Sequence, residues 1–277
     1  MTPPAQPSSS RVDTLLDLVE DALERGSPGE ALELCQRILE KQPEHDGARF
    51  LGAESLRDLG EVVVAESWYR VVTRKNPSHS ASWSGLGAVL FDQLRFEEAR
   101  TAILRAVRED DGNPEAYYWR AMLRERRDDI RGARRDFRRA RNLDPTRFPM
   151  PIPLDDATVE AVVTETLLAL HPTIRSYLAQ VAILLEDIPD MDLCLQYDPP
   201  APPGEILGYF SGMSMMERSI DNPWSNLPSA IVLFRRNLER IAWDRTRLLD
   251  ELRITVFHEV GHFLGLDEED LAARGLD

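Results

Sequence analysis

Cysteine is almost absent from this chain of 277 residues: only Cys35 and Cys194 occur, far apart and with no CxxC spacing. Their scarcity excludes a disulfide framework and a thiolate metal site, and it suits a reducing compartment. Basic residues are outnumbered, 33 Lys and Arg against 48 Asp and Glu, which leaves a formal charge of -15. A general nucleic-acid binder would carry the opposite surplus to meet phosphates, and anionic membranes are disfavoured on the same ground. No apolar run is long enough to cross a bilayer. The opening MTPPAQPSSS lacks the apolar core of a signal peptide and reads as part of a disordered tail over residues 1–11. The expectation is a cytoplasmic protein with neither nucleic-acid nor membrane partners, long enough for two domains.

What the chain does have is a period. Alanines recur at Ala31, Ala65, Ala99 and Ala133, each 34 positions after the last. In the same register stand turn residues at Gly26 and Gly60, bulky groups at Cys35, Tyr69, Ile103 and Phe137, and helix stops at Pro43, Pro77 and Pro145. Trp83, Leu86, Gly87 and Leu90 share one face of a helix, and Ala99, Ile103 and Ala106 one face of the next. The pattern resembles the tetratricopeptide repeat, best in the repeats starting at Ser80 and Pro114. That resemblance implies an all-α solenoid of four helix pairs over residues 12–147, with a concave groove for a protein or peptide partner.

The fourth repeat carries a basic run: Arg120, Arg124, Arg126, Arg127, Arg131, Arg134, Arg135, Arg138, Arg139 and Arg141. Interleaved acidic residues make a solvated, salt-bridged helix surface the plain explanation. The sharper one is an acidic partner segment, because Arg forks bind carboxylates bidentately; the acidic C-terminal part of this chain is one candidate. After Asp144-Pro145, Pro149, Pro151 and Pro153 interrupt any helix, so residues 148–154 read as a stiff linker.

Beyond the linker a second domain is expected over residues 155–277. Asp155 or Asp156 can cap a helix that His171-Pro172 ends. VAILLEDIP suits a buried strand; ILGYFSG and SAIVLFRR suit two more, and QYDPPAPPGE reads as a loop. MSMMERSIDNPWSNLP, between the last two strands, is long enough for a functional loop. A final helix from about Asp244 carries Leu248, Leu252, Val256 and Phe263 around it, so it is mostly buried.

That buried helix also carries His258, Glu259 and His262. Positions i and i+4 lie one above the other, so the two imidazoles can chelate one ion, and two imidazoles favour zinc. Glu259 is one step round and can reach a water on that ion; zinc lowers the pKa of such a water toward roughly 7, and a carboxylate base completes the nucleophile. An ionised Glu259 without a partner would be costly in this setting. A catalytic zinc takes a third protein ligand. Gly265 can turn left-handed, end the helix and return the chain toward the metal. Glu268 then stands where the HExxHxxGxxH zinc proteases place their third histidine, with Asp267 as its competitor. His45, His79 and His171 sit in turns and at a helix end, without assigned chemistry.

From about Asp155 to Leu276, the leading helix, LLEDIP, LGYFSG, IVLFRR and HEVGHFLGLDEEDL resemble the minimal zincin-like metallopeptidases of bacteria, compact domains similar to matrix metalloproteases. The resemblance implies a small α+β domain in which His258 and His262 bind zinc and Glu259 is the general base. The methionine turn of larger relatives is missing, since no Met follows Met216. A multidomain zinc metallopeptidase with a partner-binding repeat domain is therefore expected. Its competitors are a non-catalytic scaffold with a metal-binding domain and a zinc hydrolase of a small-molecule amide or ester. In the peptidase case an extended substrate would add to a sheet edge, either LGYFSG or SAIVLFRR.

Overall fold

The computed structural model describes residues 9–216 and 229–275. Most of the long loop expected over 213–228, most of the expected tail, and the last two residues lie outside them. The chain forms two compact units, Met1–Phe148 and Pro149–Asp277.

The first unit is four helix pairs: α1 (Ser9–Glu24) with α2 (Pro28–Lys41), α3 (Asp46–Asp58) with α4 (Val62–Lys75), α5 (Ser80–Asp92) with α6 (Phe96–Glu109), and α7 (Pro114–Glu125) with α8 (Ile130–Leu143). Helix α1 starts inside the segment expected as a tail. The periodic alanines are all buried, where the absence of a longer side chain lets neighbouring helices approach. Each pair turns on a residue with positive φ: Gly26 (69°), Gly60 (78°), Leu94 (62°) and Asp128 (58°). All four turns close by the same two bonds; in the second, Glu61 N–H donates to Leu56 O (2.8 Å) and Gly60 N–H to Arg57 O (2.9 Å). This is a Schellman motif, which favours glycine but is held here twice without it. Between pairs the chain restarts on a cap: His45 Nδ1 accepts from Ala48 N–H (3.0 Å), His79 Nδ1 from Ser82 N–H (3.1 Å) and Asn113 Oδ1 from Ala116 N–H (3.1 Å). These histidines satisfy orphan helix donors.

The stretch expected as a linker belongs to both units. Phe148 packs on Tyr118 in the first, with ring centroids 5.3 Å apart. In the second, Ile152 N–H donates to Glu239 O (2.7 Å) and Leu154 N–H to Glu239 Oε1 (3.0 Å), and Leu154 is buried.

The second unit runs α9 (Asp156–Ala169), α10 (Pro172–Leu178), β1 (Ala182–Glu186), α11 (Met191–Cys194), β2 (Gly208–Ser211), β3 (Ala230–Phe234), α12 (Arg235–Ile241), α13 (Arg245–Leu264) and α14 (Glu268–Ala272). Asp155 caps α9, accepting from Thr158 N–H (2.8 Å), and His171 caps α10. The sheet order is β1-β3-β2, with β1 parallel and β2 antiparallel to β3. Two strand expectations are corrected. β1 is an edge strand rather than a buried one, with Leu184 exposed. β3 is central, so SAIVLFRR is no edge; an apolar run of that length suits either place. One core joins Val159, Val162 and Val163 of α9, Ile231 and Leu233 of β3, and Leu248, Leu252, Val256, Val260 and Phe263 of α13. Among the described residues no helix is long and apolar enough to cross a membrane.

Candidate metal centre

Helix α13 is capped by Asp244, whose side chain accepts from Arg247 N–H (2.9 Å). It ends at Gly265, left-handed at φ 94°. There Leu266 N–H donates to Gly261 O and Gly265 N–H to His262 O, both 3.0 Å, a Schellman cap that reverses the chain. The reversal delivers α14, whose Leu271 is wholly buried against Gly261; a Cβ at that glycine would collide with the leucine. Gly265 lies against Met216, which an added Cβ would meet at 2.8 Å.

His258 and His262, one turn apart on α13, bring their Nε2 atoms to 3.0 Å. His262 Nδ1 lies 3.2 Å from Leu266 O; a carbonyl only accepts, so in this hydrogen bond Nδ1–H is the donor. Glu268, first residue of α14, places Oε1 3.3 Å from His262 Nε2 and Oε2 3.7 Å from His258 Nε2. These three side chains form the group of potential metal donors found among the described residues. Asp267 does something else: its Oδ1 accepts from Asp270 N–H (2.9 Å) and caps α14.

Glu259 faces the same cleft, is buried, and its Oε2 has no hydrogen-bond partner among the described residues. Burial and the neighbouring Glu268 charge push its carboxyl up to about 8, opposed by a hydrogen bond from the Phe210 backbone. Gly208 of β2 brings the strand against it: a Cβ there would stand 3.0 Å from Val232 O, 3.1 Å from Thr255 Cγ2 and 3.3 Å from Glu259 Cγ. The cleft, about 360 Å³, is lined by these groups together with Leu193, Gln196, Tyr197, Tyr209 and Phe210.

Residues 178–276 match the family model for zincin-like metallopeptidase, and residues 16–80 and 84–147 match that for the tetratricopeptide repeat. The chain carries a zincin-like domain behind tetratricopeptide repeats. No curated protein matches it significantly. Similar solved structures include TTC0263, a tetratricopeptide protein of Thermus thermophilus, at 18% identity and TM-score 0.45 over 68% of this chain and 98% of that one. MamA from Desulfovibrio magneticus is similar at 17% identity and TM-score 0.41, over 61% and 89%. The first tetratricopeptide domain of Spaghetti (RPAP3), solved with an HSP90 peptide, is similar at 23% identity and TM-score 0.39, over 43% and 91%.

In the zincin-like domain, Tyr197, Gln196 and Leu193 are cleft residues that the sequence reading passed over. They precede or open the Pro-rich QYDPPAPPGE, whose composition marks a loop and gives no sign of what the loop approaches. Tyr209, in β2, stacks on Phe234 with centroids 6.0 Å apart and also borders the cleft.

Proposed function

We propose that the zincin-like domain, over residues 155–277, is a zinc-dependent metallopeptidase, and that the repeat domain, over 12–147, binds a protein or peptide partner. The observation that carries the first half is the convergence of three donors beside a buried carboxylate with an oxygen left unpartnered. A tetrahedral zinc with bonds of about 2.0–2.1 Å has ligand atoms roughly 3.3–3.4 Å apart. The His258 and His262 Nε2 atoms are 3.0 Å apart, and the Glu268 carboxylate turns one oxygen to each ring, Oε1 3.3 Å from His262 Nε2 and Oε2 3.7 Å from His258 Nε2, distances near that edge. Two imidazoles and a carboxylate fit zinc, so His258, His262 and Glu268 are the proposed ligands, in preference to Asp267, whose oxygen is engaged in a cap.

Zinc held there supplies Lewis acidity, lowering the pKa of a water toward about 7 and polarising a carbonyl. Glu259 is the proposed general base: its carboxylate faces the cleft beside the donors, where it can take a proton from the water and return it to the leaving amine. The Phe210 N–H and the approach of Gly208 hold that carboxylate in place. β2 is the sheet edge beside the cleft, where an extended peptide can add antiparallel and place its carbonyl at the metal. Three protein donors bordering an open cleft favour turnover over a closed structural site.

The test is Glu259→Gln. The variant is expected to keep about one zinc per chain and lose cleavage of a peptide library. Full cleavage by the variant, or a wild type that cleaves only small amides or esters, contradicts the reading.

A further inference from the structure

Of the ten arginines in the run, four have partners within the protein, five lie on α8 without one among the described residues, and the exposed Arg127 precedes that helix. Arg120 donates twice to the buried Asp136 carboxylate (2.8 and 2.7 Å), and Arg124 reaches the same group at 3.2 Å. Arg126 lies over the Phe96 ring, and Arg139 donates to Asp111 O (3.1 Å). These contacts tie α7 and α8 to each other and to the third pair. Arg131, Arg134, Arg135, Arg138 and Arg141 do not: all are exposed, and none has a carboxylate within 4.0 Å among the described residues.

At 3.6 residues per turn those five occupy about 120° of α8, on the side away from buried Ala133, Phe137 and Ala140. Like charges at i,i+3 and i,i+4 weaken a helix. Carboxylates are not scarce in a chain of formal charge -15. Elsewhere its arginines find them, as in Arg70–Glu66, Arg105–Glu109 and Arg253–Asp250. A row of uncompensated guanidinium groups on one helix face offers forks that suit carboxylates.

We propose that the exposed face of α8 docks an acidic peptide segment of a partner protein. The helix is about 21 Å long at 1.5 Å per residue, a length spanned by about seven extended residues. Screening over about 8 Å confines the attraction to that strip. A short acidic segment stays within it, and each carboxylate can meet a guanidinium fork. A nucleic acid, with a charge about every 1.7 Å, would run past the strip onto an acidic protein. The face uses no residue of the metal cleft and stands independently of catalysis.

The experiment is fluorescence anisotropy on the full chain with its metal. The probe is a fluorescein-labelled peptide of about eight residues alternating Glu and Ala, recovered and checked intact by mass spectrometry. The Glu peptide is expected to bind, more weakly as salt rises, and its Gln counterpart not to bind. Arg134→Gln/Arg135→Gln/Arg138→Gln is expected to weaken binding at least about tenfold, with unchanged circular dichroism and an equal or higher Tm. If that variant fails to fold, Arg134→Gln and Arg138→Gln singly are each expected to weaken binding by about threefold. No binding of the Glu peptide, equal binding of the Gln peptide, or equal binding by the folded variants overturns the proposal. Tighter binding of a single-stranded oligonucleotide of matched charge overturns the partner class.

Discussion

Leu271→Ala tests how the third donor is held. Glu268 sits on α14, a helix of five residues, far shorter than a helix that is stable alone in water. The turn at Gly265 sets its direction and the Asp267 cap closes its first turn. Only Leu271, wholly buried over Gly261, anchors it by burial. Burying a leucine contributes about 1.5–3 kcal/mol, and truncating a buried one to alanine costs about 2–5 kcal/mol once the cavity is counted. Because α14 is a short segment attached through this one side chain, the loss is expected as local undocking rather than global unfolding. If about 2 kcal/mol of it enters the docking equilibrium, zinc affinity falls about thirtyfold, since 1.4 kcal/mol is a factor of ten. The expected range is about 10–100-fold, with Tm lowered little. Chelator-competition titration measures it, with Glu268→Ala as reference. An unchanged zinc Kd in Leu271→Ala, beside a weakened one in Glu268→Ala, would refute the anchoring argument; unchanged affinity in both removes Glu268 from the ligand set.

Other substitutions probe the two units separately. Glu54, between Arg57 (3.0 Å) and the Tyr69 hydroxyl, is pushed up to about 7, chiefly by burial and further by the Glu115 charge. Its folded pKa thus exceeds the unfolded value near 4.3, so the native state binds the extra proton; the associated stability is present below about pH 4.3 and is lost as pH rises through about 7. Glu115 is shifted downward, chiefly by Arg57 against its burial, so its contribution is lost only at lower pH. Urea melts from pH 5 to 8 should therefore show wild type losing about 1–3 kcal/mol relative to Glu54→Gln; a difference independent of pH contradicts this. Gly60→Ala should cost about 1 kcal/mol, because φ is 78° and no neighbour lies within 4 Å of the new methyl; equal denaturation midpoints would show the turn to be unstrained. Gly208→Val should lower hydrolysis at least about tenfold with zinc retained, since the side chain presses on Val232 O and Glu259. Unaltered kcat/KM would mean β2 does not hold the base.

The parts legible in the sequence are those whose cause is local. The 34-residue period, the helix start near Asp244 and the left-handed Gly265 each need only a few neighbouring residues to be inferred, and each is present in the fold. The period also continues where the letters hide it: Leu94 and Asp128 make the turn that Gly26 and Gly60 make, because the pair of backbone bonds and the packed helices impose it. Contacts between distant segments were not legible. Nothing in QYDPP shows that Tyr197 borders the cleft, nothing in VAILLE separates an edge strand from a central one, and the arginine run does not reveal that Asp136 takes Arg120 and Arg124 while the outer five have no such partner. For the candidate metal centre the spacing of His258 and His262 was readable from helix geometry, whereas the proposed preference for Glu268 over Asp267 rests on which carboxylate caps α14.

The most direct measurement is zinc analysis with X-ray absorption on protein purified without chelators or added metal. The account predicts about one zinc per chain, bound by two imidazole nitrogens and oxygen donors at about 2.0–2.2 Å, one oxygen from exchangeable water, with the metal lost in His258→Ala and His262→Ala. Protein isolated without zinc, or a fully protein-ligated zinc that persists in those variants, would contradict it.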